Sequence, residues 1–399
     1  MSRPAWRRNQ WVMAAAVFVV FTGFAFVLPF LTLFVRELGV ADAGAAATWA
    51  GVLIGVAPLL AGLLAPVWGR WADRHGRKRV ALLALGAESV LLLASAGVDN
   101  VWQLLLLRVG VGLFGSIAPL GMAMATAGSP QAETGRAVGM IQAAQILAAA
   151  VGPVVGGSLA DAAGVRSAFL ATAALCAAAF VLVGVAYQEP QPAVVKPGAG
   201  ASFGPILRQA GVPALLTILF FVNFIGRSFT PILPLHLLEL GVPQLRLAAA
   251  TGALISIYSV AAAASASWLG RASRRFAPRR LLALSLAAGV VTVSPMAVLR
   301  DFPTFLAFAV MLGLASGGAL TLCYTIGGLA AAGEQRATAF GLFSAAALFG
   351  GAVSPSVAGL LAHWRLRAIY PVNGGLFALL AVSVMLAPRW PPATSRTGE

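Results

Sequence analysis

Charge is the scarcest property of this 399-residue chain. Only 10% of its residues are Asp, Glu, Lys or Arg, against about 25% in soluble domains. A water-soluble fold with so little charge could not cover its own surface, so composition overrides the two or three soluble domains that length alone would suggest. Lysine is confined to Lys78 and Lys196, and neither lies in a G-x-x-x-x-G-K-[ST] phosphate loop, which argues against an ATP-driven pump. Cys176 and Cys323 each stand inside an apolar stretch, so neither a disulfide framework nor a thiolate metal site is expected. His75, His236 and His363 fall at the ends of apolar stretches. No HExxH spacing and no Ser/His/Asp set at a shared depth accompanies them. No enzyme chemistry, metal or cofactor is therefore expected.

What the chain has is apolar length. Hydrophobic residues make up 60% of it, and the net charge is +15. Nucleic-acid binders gather Arg and Lys on one solvated face with interleaved aromatics. Here the basic residues sit in short gaps between long apolar runs, and nucleic acid is not an expected partner. Runs long enough to cross a bilayer fall near 11–35, 49–68, 80–98, 101–127, 137–160 and 167–187. Six more fall near 213–236, 248–269, 281–299, 303–328, 337–362 and 368–388. The run after Arg7 and Arg8 is too long for a signal peptide's apolar region and reads as the first membrane helix. Twelve spans put both termini on one side. With the N-terminus inside, nineteen of the Lys and Arg residues fall on the inner side and six on the outer. That asymmetry expects both termini in the cytoplasm of a bacterial inner membrane.

The Pro- and Gly-rich stretch 188–212 reads as a connector between residues 1–187 and 213–399. These halves repeat. Pro29, Leu31, Leu33, Glu37, Leu38, Gly39 and Val40 match Pro231, Leu233, Leu235, Glu239, Leu240, Gly241 and Val242 at an offset of 202. Gly69-Arg70 matches Gly270-Arg271, and Pro153 and Gly157 match Pro355 and Gly359. The expected fold is an all-α polytopic membrane protein, with twelve transmembrane helices in two pseudo-symmetric six-helix bundles. Six spans per half make the repeats parallel.

Between spans two and three runs Gly69-Arg-Trp-Ala-Asp73-Arg74-His-Gly76-Arg77-Lys78-Arg79. A topogenic basic loop would explain the cations, but not the Asp or the two glycines seven apart, which suit a tight turn. The stretch resembles the cytoplasmic loop signature G-x-x-x-D-R-x-G-R-[KR] of the major facilitator superfamily. In that family the loop helps to latch the two halves in the outward-facing state. The resemblance assigns that role to Gly69, Asp73, Arg74, Gly76 and Arg77. The second copy has Arg274 where Asp73 stands, so the role belongs to the first.

Two ionisable residues stand well inside spans of the first half. Arg108 follows four leucines in span four, where an unpaired guanidinium costs several kcal/mol. Proton-coupled members of the superfamily carry an Arg in that helix. The alternative is an Arg snorkelling to the outer interface, about 10 Å away. Glu88 lies about 12 Å into span three, and its repeat partner is Gly289. A carboxylate balanced between apolar burial and a nearby Arg can load and release a proton. The two would differ in depth by about 8 Å. The alternative for Glu88 is a structural pairing with a neighbouring helix.

Span five holds Gly152-Pro153-Val-Val-Gly156-Gly157. Gly152 and Gly156 share a helix face and admit a close neighbour, while Pro153 permits a bend. The run G-P-x-x-G-G resembles the antiporter signature of the superfamily; generic small-residue packing is the alternative. Candidates for a substrate cavity are Phe26, Phe30, Gln142, Asn223, Arg227 and Tyr258, an apolar set with a few polar groups that suits lipophilic ligands. Each phenylalanine taken singly is equally well read as core or lipid-facing.

The resemblance covers nearly the whole chain and is closest to bacterial twelve-helix drug–proton antiporters. It implies a small-molecule substrate exported in exchange for protons by alternating access. Span one lacks the acid that some multidrug exporters use there. A symporter for a sugar, amino acid or organic acid on the same scaffold would show more midplane polar residues than this chain has. A receptor on a transporter scaffold would add a signalling domain. Nothing in the sequence demands more than a monomer.

Overall fold

The computed structural model describes residues 5–115, 117–130, 133–190, 211–330 and 336–386. Most of the connector expected at 188–212 lies outside the described residues. The described elements are helical, with no strand among them. In the first repeat they are α1 (Ala5–Val27), α2 (Leu31–Glu37), α3 (Ala43–His75), α4 (Arg77–Ser95), α5 (Val101–Phe114), α6 (Ile117–Thr126), α7 (Thr134–Ala163) and α8 (Val165–Ala186). The second repeat contributes α9 (Val212–Ser228), α10 (Leu233–Glu239), α11 (Leu247–Ala272), α12 (Pro278–Val293), α13 (Phe302–Ala330), α14 (Arg336–Trp364) and α15 (Ile369–Leu386).

Local chemistry sets the helix ends. Asp42 accepts from the Ala45 N–H at 2.7 Å to open α3, and Asn100 accepts from the Trp102 and Gln103 N–H groups to open α5. Such side-chain caps satisfy the donors that a first turn leaves free. The first helix of each repeat breaks at equivalent prolines. Pro29 sits in the 3-10 turn joining α1 to α2. Pro231 lies in the four-residue turn between α9 and α10, whose axes differ by 47°. Proline lacks the N–H that a continuous helix needs there.

Among the described residues, nine helical segments are long and apolar enough to cross a membrane, or ten if α9 and α10 form one span. The twelve expected runs are met differently at two places. The run 80–98 falls on α4, which carries Arg77, Lys78 and Arg79 in its first turn and Glu88 further on. The run 101–127 is divided into α5 and α6 around Gly115. The expected loop at Gly69–Arg79 is instead helix up to His75. The reversal is confined to Gly76, whose φ of +96° suits glycine. Gly69 is helical, with open space where a Cβ would be.

The chain divides into two compact units. The first comprises Met1–Val195, Phe229–Ser259 and Pro355–Leu366; the second comprises Lys196–Ser228, Val260–Ser354 and Arg367–Glu399. In the first, α1 packs along α7 and α8, burying Met13, Val17, Val20, Phe30 and Phe34. In the second, α12 packs on α13 and α15, burying Leu286, Phe305 and Phe377. Each unit repeats one polar clasp. The Arg166 guanidinium donates to the carbonyls of Ala96 and Val98 at 2.8 and 2.9 Å. Arg367 donates to those of Ala297 and Leu299 at 3.4 and 3.0 Å.

Candidate functional site

At the α3–α4 junction the signature residues form a compact polar knot. Arg77 Nη2 pairs with Asp73 Oδ1 at 3.1 Å, and its Nη1 donates to the Ala123 carbonyl of α6 at 3.3 Å. The missing cap of α4 comes from a distant segment. Glu189 Oε1 accepts from the backbone N–H of Arg77 at 2.5 Å and of Lys78 at 3.4 Å. A carboxylate is favoured at that helix end. Lys78 Nζ donates to the Tyr187 carbonyl at 2.9 Å. Asn9 exchanges two hydrogen bonds with the Gln188 backbone. Burial first, then the Glu189 charge, push the Tyr187 phenol up to about 12 against the opposing Arg77. It therefore stays protonated and donates to the Met124 carbonyl at 3.2 Å. Residues 187–190 thus bind the N-terminal ends of α1 and α4 to the C-terminal end of α6. The one sequence signal for this was an acid, Glu189, directly after span six in a chain with only 12 acidic residues.

Glu88 and Arg108 lie in the first unit and both are 1% exposed. The structure forms no ion pair between them. Glu88 Oε2 and Arg108 Nε and Nη2 have no hydrogen-bond partner. Arg108 is enclosed by protein and does not snorkel. At the repeat-equivalent place in the second unit the Phe377 ring covers Gly289, with ring atoms 2.8 Å from where a Cβ would stand. An apolar contact fills there the position that Glu88 occupies here, so the fold does not require a carboxylate.

The glycines of α7 serve two neighbours. Gly152 and Gly156 face α1, where an added Cβ would overlap Ala25 and the Phe26 backbone. One residue further round, Pro153 and Gly157 face α11. A Cβ on Gly157 would collide with the Ala248 carbonyl oxygen, and one on Gly252 with that of Pro153. The same pair of contacts recurs between α14 and α3. A Cβ on Gly359 would strike the Ala47 carbonyl, and one on Gly51 that of Pro355. Thr48 Oγ1 also donates to the Gly359 carbonyl at 2.9 Å, and Ser356 Oγ to that of Gly51 at 3.2 Å. All of these residues belong to the first unit. The repeat therefore produces two equivalent backbone-to-backbone seams, α7–α11 and α14–α3.

The residues expected to line a cavity are dispersed. Phe30 is wholly buried in the first unit's core and Phe26 backs onto α7, so neither offers a free face in this conformation. Periodic phenylalanines on an apolar helix carry no signal separating core from cavity. Gln142 is exposed on α7, and Tyr258 is half-buried on α11. In the second unit Asn223 is half-buried and spends its amide on the Leu219 carbonyl of its own helix at 3.1 Å. Arg227 is exposed, with its stem beside Gly351. Phe220, Phe221 and Phe224 form a ring cluster on α9, with centroids 5.1 to 6.4 Å apart.

Comparison with known proteins gives this arrangement a family. The Major Facilitator Superfamily model matches residues 13–252 and again 216–399. The chain is 30% identical over 397 residues to a multidrug resistance protein, MdtG, of Enterobacter lignolyticus, covering 98% of this chain and 94% of that one. It is 31% identical over 325 residues to MdtG of Yersinia enterocolitica, covering 80% and 78%. Among solved structures, a bacterial homologue of the human lysosomal transporter Spinster, in an inward-facing and occupied conformation, superposes with a TM-score of 0.79. It shares 17% identity and covers 98% of this chain and 100% of that one. The human organic anion transporter MFSD10 gives a TM-score of 0.67 at 17% identity, over 96% and 100%. At such identities the likeness speaks for the fold alone. With both repeats matched by one family model and full-length relatives at 30% identity, this multi-pass membrane chain belongs to the major facilitator superfamily, and it is a transporter rather than an enzyme.

Proposed function

We propose that the chain exports small lipophilic, drug-like molecules across the bacterial inner membrane in exchange for protons, by alternating access of twelve spans with both termini cytoplasmic. Its multidrug relatives motivate the substrate class. The observation that carries the coupling is Glu88: fully buried, with a carboxylate oxygen lacking any partner, at a position where the second repeat keeps an apolar contact. A structural glutamate at such depth would be paired, because burial without a partner costs several kcal/mol. Glu88 is therefore the proton carrier, and Arg108, equally buried with free donors, is the charge that its protonation state acts upon.

The two glycine seams close one end of the pathway, and the Asp73–Arg77 knot belongs to the other. Gln142, Asn223, Arg227 and Tyr258 are the candidates for polar contacts to the substrate, and Phe26 and Phe30 for apolar contacts in a different conformation. The chain works as a monomer. Accumulation of a fluorescent lipophilic cation in cells stripped of their own exporters tests the reading. Expression should lower accumulation, an uncoupler should restore it, and Glu88→Gln should be inactive at wild-type membrane abundance. Equal accumulation with and without the protein would sink the substrate class, and full activity of Glu88→Gln would remove Glu88 from the coupling.

A further inference from the structure

The two seams are equivalent in their glycines but not in how the partner helix begins. Helix α3 carries its own cap, Asp42, whose side chain accepts from Ala45 N–H. Helix α11 begins after Pro243, Gln244 and Arg246, with no carboxylate in that stretch. Its first N–H groups are instead satisfied by α7. Asp161 Oδ1 accepts from Ala248 N–H at 3.1 Å, and Oδ2 from Ala249 N–H at 2.8 Å. Both oxygens are used, one on each successive amide. At the repeat-equivalent place on α14 stands His363, which lies beside Gly44 and adds no such cap. One seam is thus pinned by a charge across the helix pair, while the other is held by packing and hydroxyl bonds.

A cap supplied by another helix exists only while the two helices touch. When α7 and α11 part, two amide donors and a carboxylate must find water instead, and charge-assisted hydrogen bonds are the stronger kind. Parting α14 from α3 leaves the α3 cap intact. We propose that Asp161 is a positioning residue for transport: a releasable electrostatic latch that sets how often the α7–α11 seam opens, without touching substrate or the transported proton. This inference rests on alternating access, and its test is read with neither substrate nor proton gradient.

In a background lacking Cys176 and Cys323, Thr251→Cys places a reporter in α11. The Thr251 hydroxyl is fully buried and bonds only the Leu247 carbonyl of its own helix at 2.7 Å, so the change spares the seam. The rate of labelling by a membrane-impermeant maleimide from outside, with the gradient collapsed, reports opening. Asp161→Asn should raise that rate about tenfold, as expected for a change of a typical coupling size. Asp161→Glu, which can still reach both amides, should stay near wild type, and Asp42→Asn should have little effect. A wild-type labelling rate in Asp161→Asn, or equal acceleration by Asn and Glu, would overturn the latch. Thermal melting of each purified variant separates opening from unfolding. If Asp161→Asn melts out, Asp161→Ser, a neutral cap, must give an intermediate rate or the proposal fails. Absence of drug export by the wild-type protein, with the variants labelling at the rates expected above, would instead count against the export reading alone.

Discussion

Replacing Gly157 by alanine adds one methyl group at the tightest kind of contact in the first unit. The added carbon would collide with the Ala248 carbonyl oxygen and crowd the Ala249 Cα at 3.0 Å. Both are backbone atoms in a helix, so no side chain can rotate away. To reach ordinary contact, α7 and α11 must separate by about 1 Å, and overpacking of this kind costs about 1–3 kcal/mol. The same substitution at Gly139, on the same helix but with open space around it, should gain about 0.5–1 kcal/mol from the lost backbone freedom of glycine. The two variants carry identical chemistry and opposite predicted signs. Melting of purified protein in detergent should show Gly157→Ala lowered and Gly139→Ala level or raised. Labelling of the Thr251→Cys reporter should rise about five- to 150-fold in Gly157→Ala, the range that 1–3 kcal/mol allows. If Gly157→Ala melts and labels like Gly139→Ala, the seam is not a seat of backbone contact and the reasoning fails.

Other perturbations separate stability from transport. Glu189→Gln removes the charge that caps α4 and should lower stability by about 0.5–1 kcal/mol, measured by melting; an unchanged melt would deny the cap. Asp73→Asn breaks an ion pair whose side chains are 65% and 33% exposed. Such pairs contribute about 0–1 kcal/mol, so the melt should barely move while drug export falls; full export would remove the knot from the cycle. Glu88→Gln should raise or preserve thermal stability, because it relieves a buried, unpaired carboxylate, while abolishing coupling; a clearly destabilised variant would point to a structural carboxylate instead.

The apolar spans, the repeat and the signature motif were legible in the sequence because bilayer burial leaves long runs that no soluble segment needs. The shared face of Gly152 and Gly156 followed from helical spacing alone. Helices that continue past the membrane were not legible. Gly69 to His75 is charged, and hydropathy cannot tell a solvated helix end from a loop, so the turn at Gly76 looked far longer than it is. Partners remote in the chain were hidden for a different reason. Gly51 and Gly252 look like ordinary small residues until the fold presses each against a proline carbonyl. Asp161 sits where a surface acid is unremarkable until α11 proves to begin without a cap of its own. Arg166 and Arg367 read as outer-loop charges, yet each holds two carbonyls at equivalent places in its own unit. Phe30 is packed into the core in this conformation, and its spacing alone does not separate a core ring from a cavity wall.

Inverted membrane vesicles give the most direct test of proton-coupled export. Respiration acidifies their lumen, and a pH-sensitive dye follows the gradient as lipophilic cations are added at the exposed cytoplasmic face. Wild-type protein should dissipate the gradient in a substrate-dependent way, with no response from Glu88→Gln at equal abundance. A gradient untouched by every compound in a broad panel, or an equal response from Glu88→Gln, would contradict it.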